Sequence, residues 1–218
     1  MTISPEERDA VYKTIFSRRD VRREFTDTAI PDDVLERILL AAHHAPSVGF
    51  MQPWDFIVVK SATSKKKIKQ GFLDAHAQSS ELFEGERKAQ YQALKLEGIE
   101  EAPLGICVTC DRSRTGSVVL GRTVKPEMDL FSAVCAVQNL WLAARAENVG
   151  VGWVSIVHDN VVRDTLNIPD NIDIIAYLCV GYVEQFQTTP DLERLGWLPR
   201  RDAKNAIHFE TWPDDNPL

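Results

Sequence analysis

The sequence predicts an α+β or three-layer sandwich fold. Three observations carry that reading. Helical and β-branched stretches alternate loosely along the chain. One long helical stretch is apolar almost all the way round. No Gly/Ser-rich linker, internal repeat or low-complexity segment divides the 218 residues. A single domain over residues 1–218 follows, with a C-terminal extension from about residue 184.

The elements come in order. Ser4-Pro5-Glu6-Glu7 is a capping box with proline at the first helical position, so a helix starts there. It carries an apolar stripe of Val11, Ile15 and Phe16 and is expected to end near Arg18 and Arg19. A second helix follows Pro31-Asp32-Asp33, with Val34, Leu35, Ile38, Leu39 and Ala42 at helical spacing and Pro46 to stop it. Phe56-Ile57-Val58-Val59 reads as a buried strand. Residues 64–100 are polar and helical in pattern, and Leu104 to Cys110 reads as a second strand. Asp129 is expected to cap a long helix reaching about Asn148. Its apolar circumference makes it a central, buried element. A third strand is expected over Val151 to Val157, a short helix near 160–167, and the longest strand over Ile172 to Val183. The tail beyond Glu184, with Trp197, Trp212 and several prolines, must rest on its own domain or on a partner subunit.

Composition narrows the function. Apolar residues make up 44% and charged residues 26%, the balance of a globular protein. The net charge of −7 repels polyanions, which argues against nucleic-acid or anionic-membrane partners. The start lacks a basic and an apolar signal region, and the uncharged run Leu130 to Ala144 is too short to span a bilayer. Cys107, Cys110, Cys135 and Cys179 sit in apolar surroundings, as reduced, buried thiols do. A cytoplasmic protein is expected.

Three segments could carry chemistry. Ser17-Arg18-Arg19-Asp20-Val21-Arg22-Arg23 places four arginines around one aspartate in an acidic chain. Guanidinium forks match phosphate oxygens, so the cluster is a candidate anion trap. Equally, arginines at a helix C-terminus complement its dipole. The loop Ala45-Pro46-Ser47-Val48-Gly49-Phe50-Met51-Gln52-Pro53-Trp54 is stiffened by two prolines. It could present backbone groups, a hydroxyl and an amide to a planar heterocycle, with Trp54 as an apolar wall. It could also be a turn ending on a core tryptophan. Gly150-Val151-Gly152-Trp153-Val154-Ser155 contains a G-x-G, but its glycines open a strand rather than a helix, which rejects a dinucleotide fingerprint. Glycine there can still admit a close backbone approach.

Other features carry less. Cys107 and Cys110, three apart on a strand, point to opposite faces, and no second pair completes a zinc site. His43 and His44 face different directions on a helix, and Lys65-Lys66-Lys67 reads as a solvated helix face.

Together these segments resemble the FMN-dependent nitroreductase family. Ser17 to Arg22 is similar to its phosphate-binding arginine motif. Pro46-Ser47 through Gln52-Pro53-Trp54-Asp55-Phe56 is similar to its second FMN segment, and Leu140 to Gly152 to its central helix and following turn. The likeness covers roughly residues 8 to 200. It is closest to a branch in which FMN is consumed, through His43 to Trp54, Ala102 to Asp111, Gln138 to Glu147 and Gly152 to Ile156. Asp20 stands where ordinary members usually have serine.

The resemblance implies a nitroreductase-like three-layer sandwich, with a mostly antiparallel central sheet flanked by helices. It also implies a homodimer built on the long helix, with flavin at the interface. Reduced FMN, supplied by a separate flavin reductase, would react with molecular oxygen and be fragmented to 5,6-dimethylbenzimidazole, the cobalamin lower ligand, and a tetrose phosphate. No metal is implied. Arg18, Arg19 and Arg22 are assigned to the phosphate, with Val21 in the same binding segment and Arg200 as a further contact. Ser47 and Gln52 would line the flavin. Asp20 would act as base or proton shuttle, and Ser155 would hydrogen-bond the isoalloxazine. The polar stretch around 83–98 would be a lid or, equally, a surface hairpin. Two other readings remain open at this point: an NAD(P)H-dependent nitro- or flavin reductase, and a non-catalytic flavin-binding protein.

Overall fold

The computed structural model describes residues 2–212; Met1 and the last six residues of the expected tail, 213–218, lie outside the described residues. The chain divides into two compact units, Met1–Phe186 and Gln187–Leu218. The first contains helices α1 (Pro5–Ser17), α2 (Asp32–His43), α3 (Ala62–Ser80), α4 (Gly85–Ala93), α5 (Met128–Ala146) and α6 (Asp159–Leu166). It also contains strands β1 (Trp54–Val59), β2 (Leu104–Cys110), β3 (Val149–Val154) and β4 (Asp173–Tyr182). The second contains the short helix α7 (Asp191–Arg194).

The four strands form one sheet in the order β1-β2-β4-β3, and every neighbouring pair is antiparallel. Strand periodicity builds the layers. Leu104, Ile106, Val108 and Cys110 face one side with Ala176, Leu178 and Val180, against α2 and α5. Cys107, Tyr177 and Cys179 face the other, with Ile68 and Phe72 of α3 and Val162 of α6. This is the three-layer α+β sandwich expected from sequence. The two thiols of β2 accordingly diverge into separate cores, where burial pushes each up to about 12.

Several boundaries and exposures differ from expectation. The third strand runs over Val149–Val154, ending before Ser155, because its register with β4 stops at Val154↔Tyr177. Asp129 does not cap α5. The N-cap is Glu127, while Asp129 is fully buried and bridges Arg112 at 3.0 Å and Arg122 at 3.1 Å. Nor is α5 covered all round within one chain: Phe131 and Val134 are 50% and 41% exposed. The α1 stripe of Val11, Ile15 and Phe16 is likewise open. Lys65 is not on a solvated face. It is buried, and its ammonium donates to the carbonyl of Ala102 at 2.7 Å.

The polar stretch 83–98 splits in two. Tyr91 of α4 stacks on His76 of α3, with centroids 4.8 Å apart. Beyond α4 the chain dives into the core, burying Leu94, Glu97 and Ile99. Glu97 accepts from Lys69, from Lys95 at 2.6 Å and from the Ile99 N–H at 2.8 Å. Burial alone would raise its pKa, but these donors overcome it and hold the carboxyl below its ordinary value. A carboxylate whose pKa is lowered on folding stabilises the fold above its unfolded value, near 4.5. That contribution is lost as pH falls through the lower folded value. Glu97→Gln is therefore expected to cost about 3 kcal/mol at pH 7 by taking the carboxylate from Lys69 and one of the two that pair with Lys95. The gap from the parent should close below pH 4.5. Denaturant unfolding of both proteins from pH 3 to 8 checks this; a gap independent of pH would refute it.

Candidate active site

The arginine segment is placed by the edge of the sheet. Helix α1 ends because Arg18 turns to an extended conformation (φ −63°, ψ 137°). The chain then runs beside β3, with a parallel bridge between Asp20 and Val151 and a 2.9 Å bond from the Val21 N–H to the Val151 carbonyl. Glycine makes this approach possible. A Cβ on Gly152 would lie 1.9 Å from the Val21 carbonyl oxygen. The G-x-G thus admits a strand-like segment of the chain itself. Helix α5 fixes the same segment from below: the Trp141 indole donates to the Arg19 carbonyl (3.2 Å) and Arg145 Nε to the Ser17 carbonyl (3.2 Å).

Asp20 is held at both oxygens. Oδ1 accepts from the Trp153 N–H at 3.0 Å, and Oδ2 pairs with Arg22. Some 31% of its side-chain surface stays open although protein crowds the carboxyl. Burial is the dominant effect and pushes the carboxyl above its ordinary range, against Arg22, the Trp153 N–H and Arg18. A carboxylate made more basic than usual by burial is a better proton acceptor.

Cations crowd around this point. The Arg18 guanidinium lies 4.7 Å over the Trp141 ring, and Arg19 donates to the Phe16 carbonyl at 2.9 Å. Burial pushes Arg145 below its ordinary pKa, and the charge of nearby Arg19 adds to the effect. Arg22 Nε is buried and has no hydrogen-bond acceptor among the described residues. Beside it, Arg22, Arg23 and Lys95 share a recess of about 380 Å³ with Glu24 and Glu101.

The second segment sits at the other end of α5. Ser132 accepts from the Val48 N–H at 3.0 Å, nine residues from Trp141, or about 13 Å along the helix axis. There Ser47 Oγ accepts from the Gln52 N–H (3.1 Å). Gly49, Phe50 and Gln52 all adopt left-handed backbone. Trp54 is a core residue, 2% exposed, whose indole donates to His43 Nδ1, so it is no ligand wall. Ser155 is exposed just past β3 and borders a cavity of about 210 Å³ with Trp153, Val157, Asp159 and Tyr177. Arg200 belongs to the second unit, where it lines a recess with Trp197, Leu198 and Arg201. Sequence reasoning missed Trp141 and Arg145. The available signal was the lone basic residue in a mostly apolar helix. Among the described residues no group of three His, Cys, Asp or Glu could hold a metal ion, and no helix is long and apolar enough to cross a membrane.

An antiparallel sheet between two helical layers, with a cationic segment laid along its edge strand, defines a nitroreductase-type protein. The nitroreductase family model matches residues 15–182, and the chain belongs to that family of enzymes. It is 40% identical over 197 residues to the 5,6-dimethylbenzimidazole synthase of Rhodospirillum rubrum, covering 90% of this chain and 93% of that protein. It is 38% identical over 197 residues to a protein of the same name from Rhodobacter capsulatus, covering 90% and 95%. A crystal structure of oxidized iodotyrosine deiodinase bound to FMN and 3-iodo-L-tyrosine superimposes with a TM-score of 0.74 at 22% identity, over 93% of this chain and all of that one. At that identity the match supports the fold alone.

Proposed function

We propose that this enzyme uses molecular oxygen to fragment reduced FMN into 5,6-dimethylbenzimidazole and a tetrose phosphate, as a homodimer supplied by a separate flavin reductase. The observation that carries the reading is Asp20: a carboxyl raised by burial, fixed by the Trp153 N–H and Arg22, inside a cluster of arginines. The names of the synthases it resembles support the same assignment.

The residues present suit FMN. The run of arginines at 18, 19, 22 and 23 and the buried Arg22 Nε, which has no acceptor among the described residues, suit an anion. Reduced flavin supplies the electrons that oxygen takes up. The chain's own work is then to grip, orient and move protons. Arg18, Arg19 and Arg22 hold the phosphate, with Val21 in the same segment. Arg22 also keeps Asp20 in place. Asp20 Oδ2 takes a proton as the ribityl chain is oxidised and cleaved. Ser155 donates to the isoalloxazine. Ser47 and Gln52 line the ring system. Their separation from the arginine segment along α5, and the open apolar faces of α1 and α5, support a two-fold assembly in which one flavin touches both subunits.

The direct test mixes the protein with pre-reduced FMN, admits air and looks for dimethylbenzimidazole by chromatography. Quantitative recovery of intact FMN would overturn the proposal. Bound flavin that turns over NADPH with a nitroaromatic instead would mark a reductase. Arg19→Ala is expected to weaken FMN about tenfold, one charge-assisted contact, and riboflavin much less. Equal loss for both in a fluorescence titration would remove the phosphate assignment.

A further inference from the structure

We infer that Arg114, outside every segment assigned so far, is a positioning residue that fixes Gln52 for ligand binding. The inference rests on the proposed flavin reading for its ligand and on geometry for the rest.

Gln52 carries a backbone that a non-glycine residue adopts only under constraint (φ 46°). Its two main-chain polar groups are both tied. The N–H donates to Ser47 Oγ at 3.1 Å, and the carbonyl accepts from Arg114 Nη1 at 2.8 Å. The same Nη1 donates to the Trp54 carbonyl at 3.1 Å, bracketing Pro53. Arg114 is itself oriented by carboxylates. Nη2 pairs with Asp55, and Nε lies 3.8 Å from Asp111. The Asp111 N–H closes the bracket by donating to the Pro53 carbonyl at 2.7 Å. The neighbouring Met51 side chain is buried, so the turn is anchored on both sides of Gln52. With backbone and neighbours pinned, the amide of Gln52 is the group free to change partners and meet a ligand; its Nε2 makes only a long bond, 3.5 Å, to the Phe50 carbonyl. One guanidinium thus holds a strained turn in the conformation that presents this side chain. A lysine could not reproduce it, because the function needs a planar fork aimed at carbonyls and carboxylates at once.

The test is a double-mutant cycle read in FMN affinity. Arg114→Met and Gln52→Ala are each expected to raise the Kd about tenfold, and the double variant to do no worse than either alone. About a hundredfold loss in the double variant, or parent-like binding by Arg114→Met, would overturn the inference, since a merely structural arginine would not couple to one side chain. If the parent protein binds no FMN, the flavin reading falls, and the bracket is judged by thermal unfolding instead. Arg114→Met should then lower Tm by about 3 °C, and adding Gln52→Gly, which relieves the left-handed strain, should recover part of that loss. An unchanged Tm in Arg114→Met, or a further loss on adding Gln52→Gly, refutes the bracket.

Discussion

Asp20→Asn is expected to cut dimethylbenzimidazole formation by about three orders of magnitude while FMN still binds. Asparagine can keep the bond from the Trp153 N–H to its side-chain oxygen, which lies at 3.0 Å in the parent. It keeps the shape of the residue but loses both the capacity to take a proton and the charge that pairs with Arg22. The neighbouring arginines remain to hold the phosphate. A variant that keeps the parent rate would remove Asp20 from the chemistry, and one that loses FMN as well would make it a binding residue.

The pH profile tests the same assignment from another side. Burial raises Asp20 above its ordinary value of 3.8. A base is active only when ionised, so kcat/KM should fall as pH drops through this raised value, and the limb should lie above pH 3.8. Asp20→Asn should show no such limb in its residual rate. A parent profile flat down to pH 4 would contradict the burial argument, whatever the variant does.

Much of the fold was legible locally. Ser4-Pro5-Glu6-Glu7 does cap α1, with both halves of the box formed, and Leu104–Cys110 is a strand end to end, because caps and apolar runs act within a few residues. The arginine segment was legible as a charge anomaly. What sequence withheld is long-range. The Trp153 N–H that fixes Asp20 is 133 positions away. Glu97 and Lys65 look like surface charges until the chain around 94–103 folds inward and gives each a buried partner. Trp54 read more readily as core than as ligand wall, and its burial and bond to His43 bear out the core reading. Arg114 gave no signal, since its meaning lies in two carbonyls some 60 residues earlier.

Gly152→Ala should be the most damaging single methyl in the chain. The new Cβ would meet the Val21 carbonyl oxygen at 1.9 Å, and that oxygen belongs to backbone, which cannot rotate aside. Either β3 or the arginine segment must move. The sheet holds β3 through six registered pairs with β4, whereas the segment's main chain meets β3 at one bridge and the Val21 N–H bond, its other ties being bonds to or from side chains: Asp20 to the Trp153 N–H, and Trp141 and Arg145 to the segment's carbonyls. The segment is therefore the part that yields, carrying Arg18 to Arg22 off the sheet edge and breaking the Asp20 to Trp153 bond. Overpacking of this kind costs about 3 kcal/mol, and taken from binding it weakens FMN about a hundredfold. Gly150→Ala is the control. Its Cβ would meet the side chains of Val183 at 2.7 Å and Val21 at 3.2 Å, which can adjust, so the loss should be several-fold smaller. Titration of both variants with FMN, beside their unfolding curves, separates the outcomes. Equal losses at the two glycines would mean that the close approach of the Val21 carbonyl does not organise the site.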